Sequence, residues 1–392
     1  MELKLDKRRV YALALEGGGA KGAYHVGCWK ALQEAGVQFS AVSGTSVGAL
    51  NGGLMAMDQL ERAEQLWLNI RFSQVMDVDD GVMRGLFRRD LSSQGMKSLA
   101  EALRAVMKNK GFDVTPLCNL LGEEIDEEAI RNSQRELFII TYSISDRREL
   151  ELRARDLKNP GEIRDMMLAS AYLPAFRNEK LGGKRYTDGG VADAIPLHVL
   201  VEKGYRDIIV VRLNGVGWQR SVKIPPGTHV YTVAPERDLG SVLNFDVEQS
   251  RFDMSCGYYD AQRLLYGLSG KLFYLERHWD EERAYRFLLE QTRLIMQTQG
   301  EAPSLHQLNQ VLIPRVERRL DAIGDYYDVL VTMLEAAAEE AGLDPFQIFT
   351  EESLIAALAK RYSHKFKRYP SFISKTLLQG DSIISKMGKL IR

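Results

Sequence analysis

Cysteine is scarce. Three residues in 392, Cys28, Cys118 and Cys256, stand at wide spacings, and no Cys/His group has metal-ligand spacing. An odd, scattered set excludes a disulfide framework, gives no sign of a structural zinc site and fits a reducing cytosol. An excess of one charge is missing as well, since 52 Lys and Arg oppose 53 Asp and Glu for a formal net charge of −1. Chain-wide attraction to a polyanion is thereby removed, and no nucleic-acid partner is expected. Long hydrophobic runs are absent too. The charged start, Met1 to Arg9, leads only into Val10 to Leu15, far short of a signal-peptide core or a membrane span. A cytoplasmic protein is the expectation, with non-classical export left open. No internal repeat or low-complexity tract is apparent. What the chain does have is 45% apolar residues, enough for one large core or two ordinary ones.

From residue 9 to about 215, short β-branched runs alternate with longer helical ones, the pattern of a mostly parallel sheet covered by helices. Val10 to Leu15 predicts a buried strand, Gly22 to Ala35 a helix stopped by Gly36, Phe39 to Ser43 a second strand, and Val47 to Met57 a helix. Within the last, Ala49, Gly52 and Gly53 suit close packing better than helix stability. Residues 58–135 read as a helical insertion, either a cap over a site or peripheral helices, with Leu60, Leu66 and Trp67 and then Leu99, Leu103 and Met107 at helical spacing. Strands resume at Leu137 to Ser143 and Glu149 to Leu152 as a hairpin, and again at Asp207 to Leu213, after a helix opened by Pro196 and closed by Gly204. Beyond about residue 276 the text is helical. The last stretch, 360–392, holds nine Lys or Arg against Asp381 alone, so this tail carries about +8 and the remainder about −9. The tail reads either as a solvated or internally paired helix end or as an interfacial helix, its Phe366, Phe372 and Ile373 interleaving with cations.

Three glycine-bearing elements carry the chemistry. Glu16-Gly17-Gly18-Gly19-Ala20-Lys21-Gly22 formally matches the G-x-G-x-x-G of a dinucleotide fold. That fold requires a ribose-binding acid about 20 residues on, yet no acid occurs between Glu34 and Asp58. The second strand ends instead in Gly44-Thr45-Ser46-Val47-Gly48. G-x-S-x-G on a strand-turn-helix holds a serine hydroxyl exposed on a strained turn, which makes Ser46 the candidate nucleophile. It comes after one strand rather than several, the wrong order for the usual α/β-hydrolase. The third element, Tyr186-Thr187-Asp188-Gly189-Gly190, follows Ser46 by 142 residues and places an acid between an extended run and two glycines.

Gly-Gly-Gly-x-Lys-Gly, Gly-x-Ser-x-Gly and Asp-Gly-Gly, in this order and each at an element boundary, resemble the patatin-like phospholipase family, bacterial type. Ala169-Ser170-x-x-x-Pro174 and Asp193-x-x-Pro196 support the likeness, and Gly257-Tyr258-Tyr259-Asp260 extends it to about residue 275; Glu16 stands where plant-type members carry Asp. The resemblance implies an α/β patatin-like core over 1–275 and leaves 276–392 as a helical extension. It implies a catalytic dyad of Ser46 as nucleophile and Asp188 as base, framed by the elbow residues Gly44, Thr45, Val47 and Gly48 and by Gly189 and Gly190 of the Asp loop. The glycine loop, Gly17, Gly18, Gly19, Ala20, Lys21 and Gly22, becomes an oxyanion hole, with the N–H groups of Gly18, Gly19 and Ala20 aimed at the developing alkoxide.

No metal or cofactor is implied, and the substrate would be a membrane or micellar lipid ester. Acyl transfer to another acceptor on the same dyad, and a non-catalytic lipid-binding regulator, remain as alternatives; oligomeric state is open. Asp193 is expected to orient the loop, and His25 and His198 to be packing histidines. Lys21 reads as either solvated or a cation that attracts anionic headgroups.

Overall fold

The computed structural model describes residues 1–87, 111–298, 302–314, 318 and 322–365. The expected helical positions Leu99, Leu103 and Met107 and most of the basic tail, 366–392, lie outside the described residues. The chain divides into two compact units, Glu2–Leu265 and Met1 with Tyr266–Arg392.

The first unit is built on a seven-stranded sheet: β1 (Val10–Leu15), β2 (Gln38–Thr45), β3 (Glu136–Ser143), β4 (Arg148–Arg153), β5 (Tyr186–Asp188), β6 (Asp207–Val211) and β7 (His229–Val233). The order is β4-β3-β2-β1-β6-β7, with β5 paired to β3. Pairs β2–β1, β3–β2, β1–β6 and β6–β7 are parallel, and only β4 and β5 run against β3. The central strands are apolar throughout because both faces are covered. Ala12, Ala14, Ala41, Phe138, Ile140, Ile208 and Val210 share one face with Val199 and Leu200 of the helix Leu197–Glu202. Helix α2 (Val47–Ala56) lies on the other, where a Cβ at Gly52 would stand 2.9 Å from Leu137 Cδ1 and 3.2 Å from Val42 Cγ1. The small residues of α2 serve close packing, as expected. Connections leave β1 toward β2 on one side while β6 docks on the other, so the sheet has a switch point at the carboxyl ends of β1 and β6, where open α/β sheets place ligands.

Two elements of this unit were not anticipated from the sequence. Strand β7 is short, with only Val233 buried, and the helix Val247–Tyr266 has mixed polarity because it packs by backbone approach. It crosses α1 (Ala23–Glu34) through facing glycines. A Cβ on Gly27 would meet Met254 O at 1.9 Å, and one on Gly257 would meet Tyr24 O at 2.0 Å. Cys28 is buried at this crossing and donates its thiol proton to Gly257 O at 3.2 Å.

The second unit is largely helical around Phe273, Leu275, Trp279, Tyr327, Leu330, Leu334 and Phe349. It also holds one short parallel pair, β8 (Tyr274–Leu275) with β9 (Ile348–Phe349). Two buried carboxylates organise it: Glu335 accepts the N–H groups of Lys271, Leu272 and Phe273, and Glu351 accepts those of His278 and Trp279 and the Tyr327 hydroxyl. Each is satisfied by several donors, the condition for burying a carboxylate.

The glycine crossing predicts opposite outcomes for one substitution at two places. Gly257→Ala forces two backbones apart and lowers unfolding free energy by about 2–3 kcal/mol. Gly122→Ala, on an exposed helical face with no atom nearer than Arg164 Nη1 at 3.7 Å, raises it by up to about 1 kcal/mol. Urea unfolding of the two variants measures both.

Candidate active site

Ser46 follows the last residue of β2 and caps α2, with φ 56° and ψ −127°. A side chain in this region is strained, and the two flanking glycines make the turn possible. A Cβ on Gly44 would lie 2.2 Å from Gly48 O, and one on Gly48 2.4 Å from Leu15 O. The turn is pinned from outside. The Ser46 N–H donates to Ser170 Oγ at 2.8 Å, and Ser170 Oγ donates to Ile140 O at 2.5 Å. Ser43 Oγ donates to Pro196 O and Thr45 Oγ1 to Asp193 O, each at 2.9 Å. The Ala-Ser motif at 169–170 therefore has a local task, which the sequence marked without explaining.

Sheet register brings the acid to the serine. On β3, Ile140 pairs with Thr45 of β2, and the next residue, Thr141, pairs with Asp188 of β5. Where β2 turns away at Ser46, β5 takes its place along β3. Gly189 permits this approach, because a Cβ there would stand 2.3 Å from Ile140 O. Asp188 is buried; its Oδ1 accepts the Gly190 N–H at 2.8 Å, while Oδ2 has no hydrogen bond of ordinary geometry. Burial pushes its carboxyl up to about 6 from an ordinary 3.8, against opposing effects of the Ser46 hydroxyl and the Gly190 amide.

The glycine loop crosses the switch point in a form tighter than the sequence implied. Gly17 N–H donates to Ala194 O at 3.0 Å, and Ala20 N–H donates to Val242 O at 2.8 Å. Ala20, expected among the oxyanion donors, thus has its amide engaged elsewhere; Gly18 and Gly19 retain theirs. Gly19 has φ 56°, and a Cβ there would meet Val242 O at 2.2 Å. Glu16 holds the loop to the end of β6, its Oε2 accepting from Leu213 N–H at 2.6 Å and Asn214 N–H at 3.1 Å, its Oε1 from Gly215 N–H at 3.2 Å. Lys21 is not solvated. Its side chain is buried, and the ammonium donates to the carbonyls of Leu213 and Asn214 at 3.4 and 3.3 Å.

Ser46 opens into a cavity with about 700 Å³ of empty space, counting its open mouth. Its walls are almost wholly apolar, and many come from the 58–135 insertion: Leu66, Trp67, Ile70, Val75, Leu117, Leu120, Leu121 and Ile125. The insertion helices Leu60–Leu68 and Thr115–Glu124 thus line the space that holds the serine.

The family model described as patatin-like phospholipase matches residues 13–201. The chain carries a patatin-like phospholipase domain. Among curated proteins, it is 28% identical over 204 residues to a patatin-like phospholipase domain-containing protein of Caenorhabditis elegans, covering 52% of this chain and 14% of that one. It is 30% identical over 210 residues to Lysophospholipase NTE1 of Cryptococcus neoformans var. neoformans, covering 52% and 11%. Over 50 residues it is 56% identical to Lysophospholipase nte1 of Emericella nidulans, covering 13% and 3%. The chain spans 14% or less of the length of these relatives. Among solved structures, VipD from Legionella pneumophila aligns with 94% of this chain and 90% of its own, at 15% identity and a TM-score of 0.39. The type III effector protein ExoU aligns with 97% and 78%, at 14% identity and 0.31.

The patatin-like domain holds both histidines weighed from the sequence away from any role as an unencumbered base. His25 is buried, and burial drives its pKa down to about 3. His198 is more than a packing residue. Its Nδ1 lies 2.7 Å from Asp193 Oδ2 and its Nε2 3.0 Å from Glu151 Oε1. Burial opposes its charged form, but the bonds to Asp193 and Glu151 outweigh that and raise its pKa. Asp193 Oδ1 in turn accepts from the amides of Ile195 and Arg220, fixing the loop that begins at Asp188. Glu149, Glu151 and His198 bring three potential ligand atoms within 4.8 Å of one another, but Arg220 pairs with Glu149, and a ring flanked by carboxylates suits an imidazolium. Among the described residues, no helix is long and apolar enough to cross a membrane.

A histidine whose folded pKa is raised stabilises the fold below its ordinary value of 6.5 and loses that contribution as pH climbs through the raised one. His198→Gln is therefore expected to cost about 3 kcal/mol at pH 6, and the gap from the parent protein to narrow by pH 9. Urea midpoints at the two pH values test this.

Proposed function

We propose that the patatin-like domain is a serine lipid acyl hydrolase acting on glycerophospholipids or related acyl esters. The observation that carries this reading is Ser46 at the wall of an apolar cavity, with the buried Asp188 carboxyl beside its hydroxyl. Such a cavity takes a fatty-acyl chain out of water and leaves its ester carbonyl at Ser46. Ser46 Oγ attacks that carbonyl while Asp188 accepts its proton, and the tetrahedral oxyanion lies toward the N–H groups of Gly18 and Gly19 and the amino-terminal dipole of α2. Asp188 then returns the proton to the leaving alcohol, and a water activated by the same carboxylate releases the fatty acid. An ordinary aspartate is a weak base for a serine hydroxyl, and the upward shift to about 6 strengthens it while leaving it ionised at neutral pH. The names of the fungal relatives support a lysophospholipid as one substrate to try.

The first test is covalent. A lipid-like fluorophosphonate is expected to add once, on Ser46, by intact mass and peptide mapping, with no adduct in Ser46→Ala; an adduct elsewhere names a different nucleophile. Because the base must be ionised, kcat/KM for fatty-acid release is expected to rise with pH through about 6 and to level above it. Asp188→Asn lowers kcat by about 100- to 10,000-fold. A flat profile from pH 5 to 8 removes Asp188 from the role of base. Leu121→Trp, placed in the cavity wall, is expected to reduce kcat/KM about tenfold for a long acyl chain, on the scale of a few filled methylene sites, and to spare a short one.

A further inference from the structure

Beside the acid loop lies an apolar surface that the proposed hydrolysis does not use. Among the described residues, ten large apolar side chains are exposed, and four of them, Val191, Val216, Trp218 and Ile224, lie in the acid loop or in the connection from β6 to β7. Val216 is 91% exposed, Trp218 57% and Val191 56%. The two segments abut. Trp218 N–H donates to Gly190 O at 2.9 Å, Ala194 N–H donates to Trp218 O at 2.7 Å, and a Cβ on Gly190 would lie 3.6 Å from Val216 O. Scattered apolar side chains on a surface are ordinary, whereas a group of them gathered beside a cleft marks an interaction face.

The composition of this face selects its partner. From Ile208 to Pro235 the chain has no Asp or Glu, while Arg212, Arg220 and Lys223 are cationic. Arg212 lies near Glu16 and Arg220 pairs with Glu149, but the Lys223 side is exposed. A protruding Trp with valines, on a segment that has no acid of its own and carries the exposed Lys223, fits the boundary between headgroups and acyl chains, where an indole buries its ring and keeps its N–H wet. The face also adjoins the acid loop, since Val191 follows Asp188 by three residues.

We propose that the β6–β7 connection and Val191 form the seat by which the domain rests on an anionic lipid bilayer, with Val216 and Trp218 inserted among the acyl chains. The inference rests on the reading of this domain as a lipid hydrolase, because it assigns the surface from which substrate enters. Backbone hydrogen bonds and the Asp193 carboxylate, not the side chains of Val216 and Trp218, join the seat to the acid loop. The inserting side chains can therefore be replaced without moving Asp188.

Trp218 is its own reporter. Trp29, Trp67 and Trp279 are 1%, 4% and 6% exposed, so quenching from the membrane falls on Trp218. The full chain is mixed with phosphatidylglycerol–phosphatidylcholine vesicles whose acyl chains are brominated, and fluorescence and co-sedimentation are followed together with hydrolysis of a dissolved short-chain ester. The expected result is quenching that Trp218→Phe abolishes. The Val216→Ser/Trp218→Ser double variant is expected to partition at least tenfold more weakly, about 1.4 kcal/mol, with an unchanged melting temperature and an unchanged rate on the dissolved ester. Sedimentation without quenching overturns the proposal and moves membrane contact elsewhere, as to the basic tail. Failure of the parent protein to sediment overturns it as well. Quenching without ester hydrolysis keeps the seat and removes the hydrolase reading.

Discussion

One strand serves two partners along the same edge, and the site depends on it. β3 carries β2 as far as Ile140 and β5 from Thr141 onward, so a single rung of the ladder separates the serine turn from the acid. Neither group is held by the other. Ser46 is set by a strained dihedral angle between two glycines, and Asp188 by sheet hydrogen bonds and the Gly190 amide. Their proximity follows from backbone pairing, which is stiffer than any side-chain contact and does not slip by one residue without turning each side chain to the opposite face.

Around that rung, polar groups are spent on position and apolar groups on the space for a ligand. Ser43, Thr45 and Ser170 lock the turn, while Asp193 and His198 lock the acid loop. Glu16 and Lys21 hold the glycine loop to the carboxyl end of β6. Each of these groups is satisfied by a backbone partner or an opposite charge, which lets them be buried beneath the site. The Asp188 Oδ2 is the exception. An incompletely bonded, desolvated carboxylate is costly to charge, and its raised pKa is the expression of that cost.

The insertion changes the character of the cleft. Without the helices Leu60–Leu68 and Thr115–Glu124, Ser46 would stand on the rim of an open sheet. With them, it faces a chamber of leucine, isoleucine and aromatic side chains. A chamber of this kind favours long hydrocarbon over water, and the exposed Trp218 and Val216 lie on the acid-loop side of the same unit.

Local sterics were legible in the sequence. The strand-turn-helix at Gly44 to Gly48, the glycine loop after β1, the mostly parallel sheet and the close packing of α2 all follow from residues within a few positions of one another. The patatin-like resemblance of residues 13–201 was visible for the same reason, because its motifs are short and each states one backbone constraint. Strand β7, the pair formed by β8 and β9, and the glycine-mediated helix crossing escaped, since their stability comes from distant backbone partners rather than from periodicity.

The tertiary structure alone decided the rest. It engaged the Ala20 amide with Val242, buried Lys21 against two carbonyls, made His198 a link between Asp193 and Glu151, and turned the insertion into cavity wall. All of these except the Asp193–His198 bond pair residues far apart in the chain. Such pairings depend on sheet register and on which helix face meets which strand, and no run of neighbouring residues encodes them.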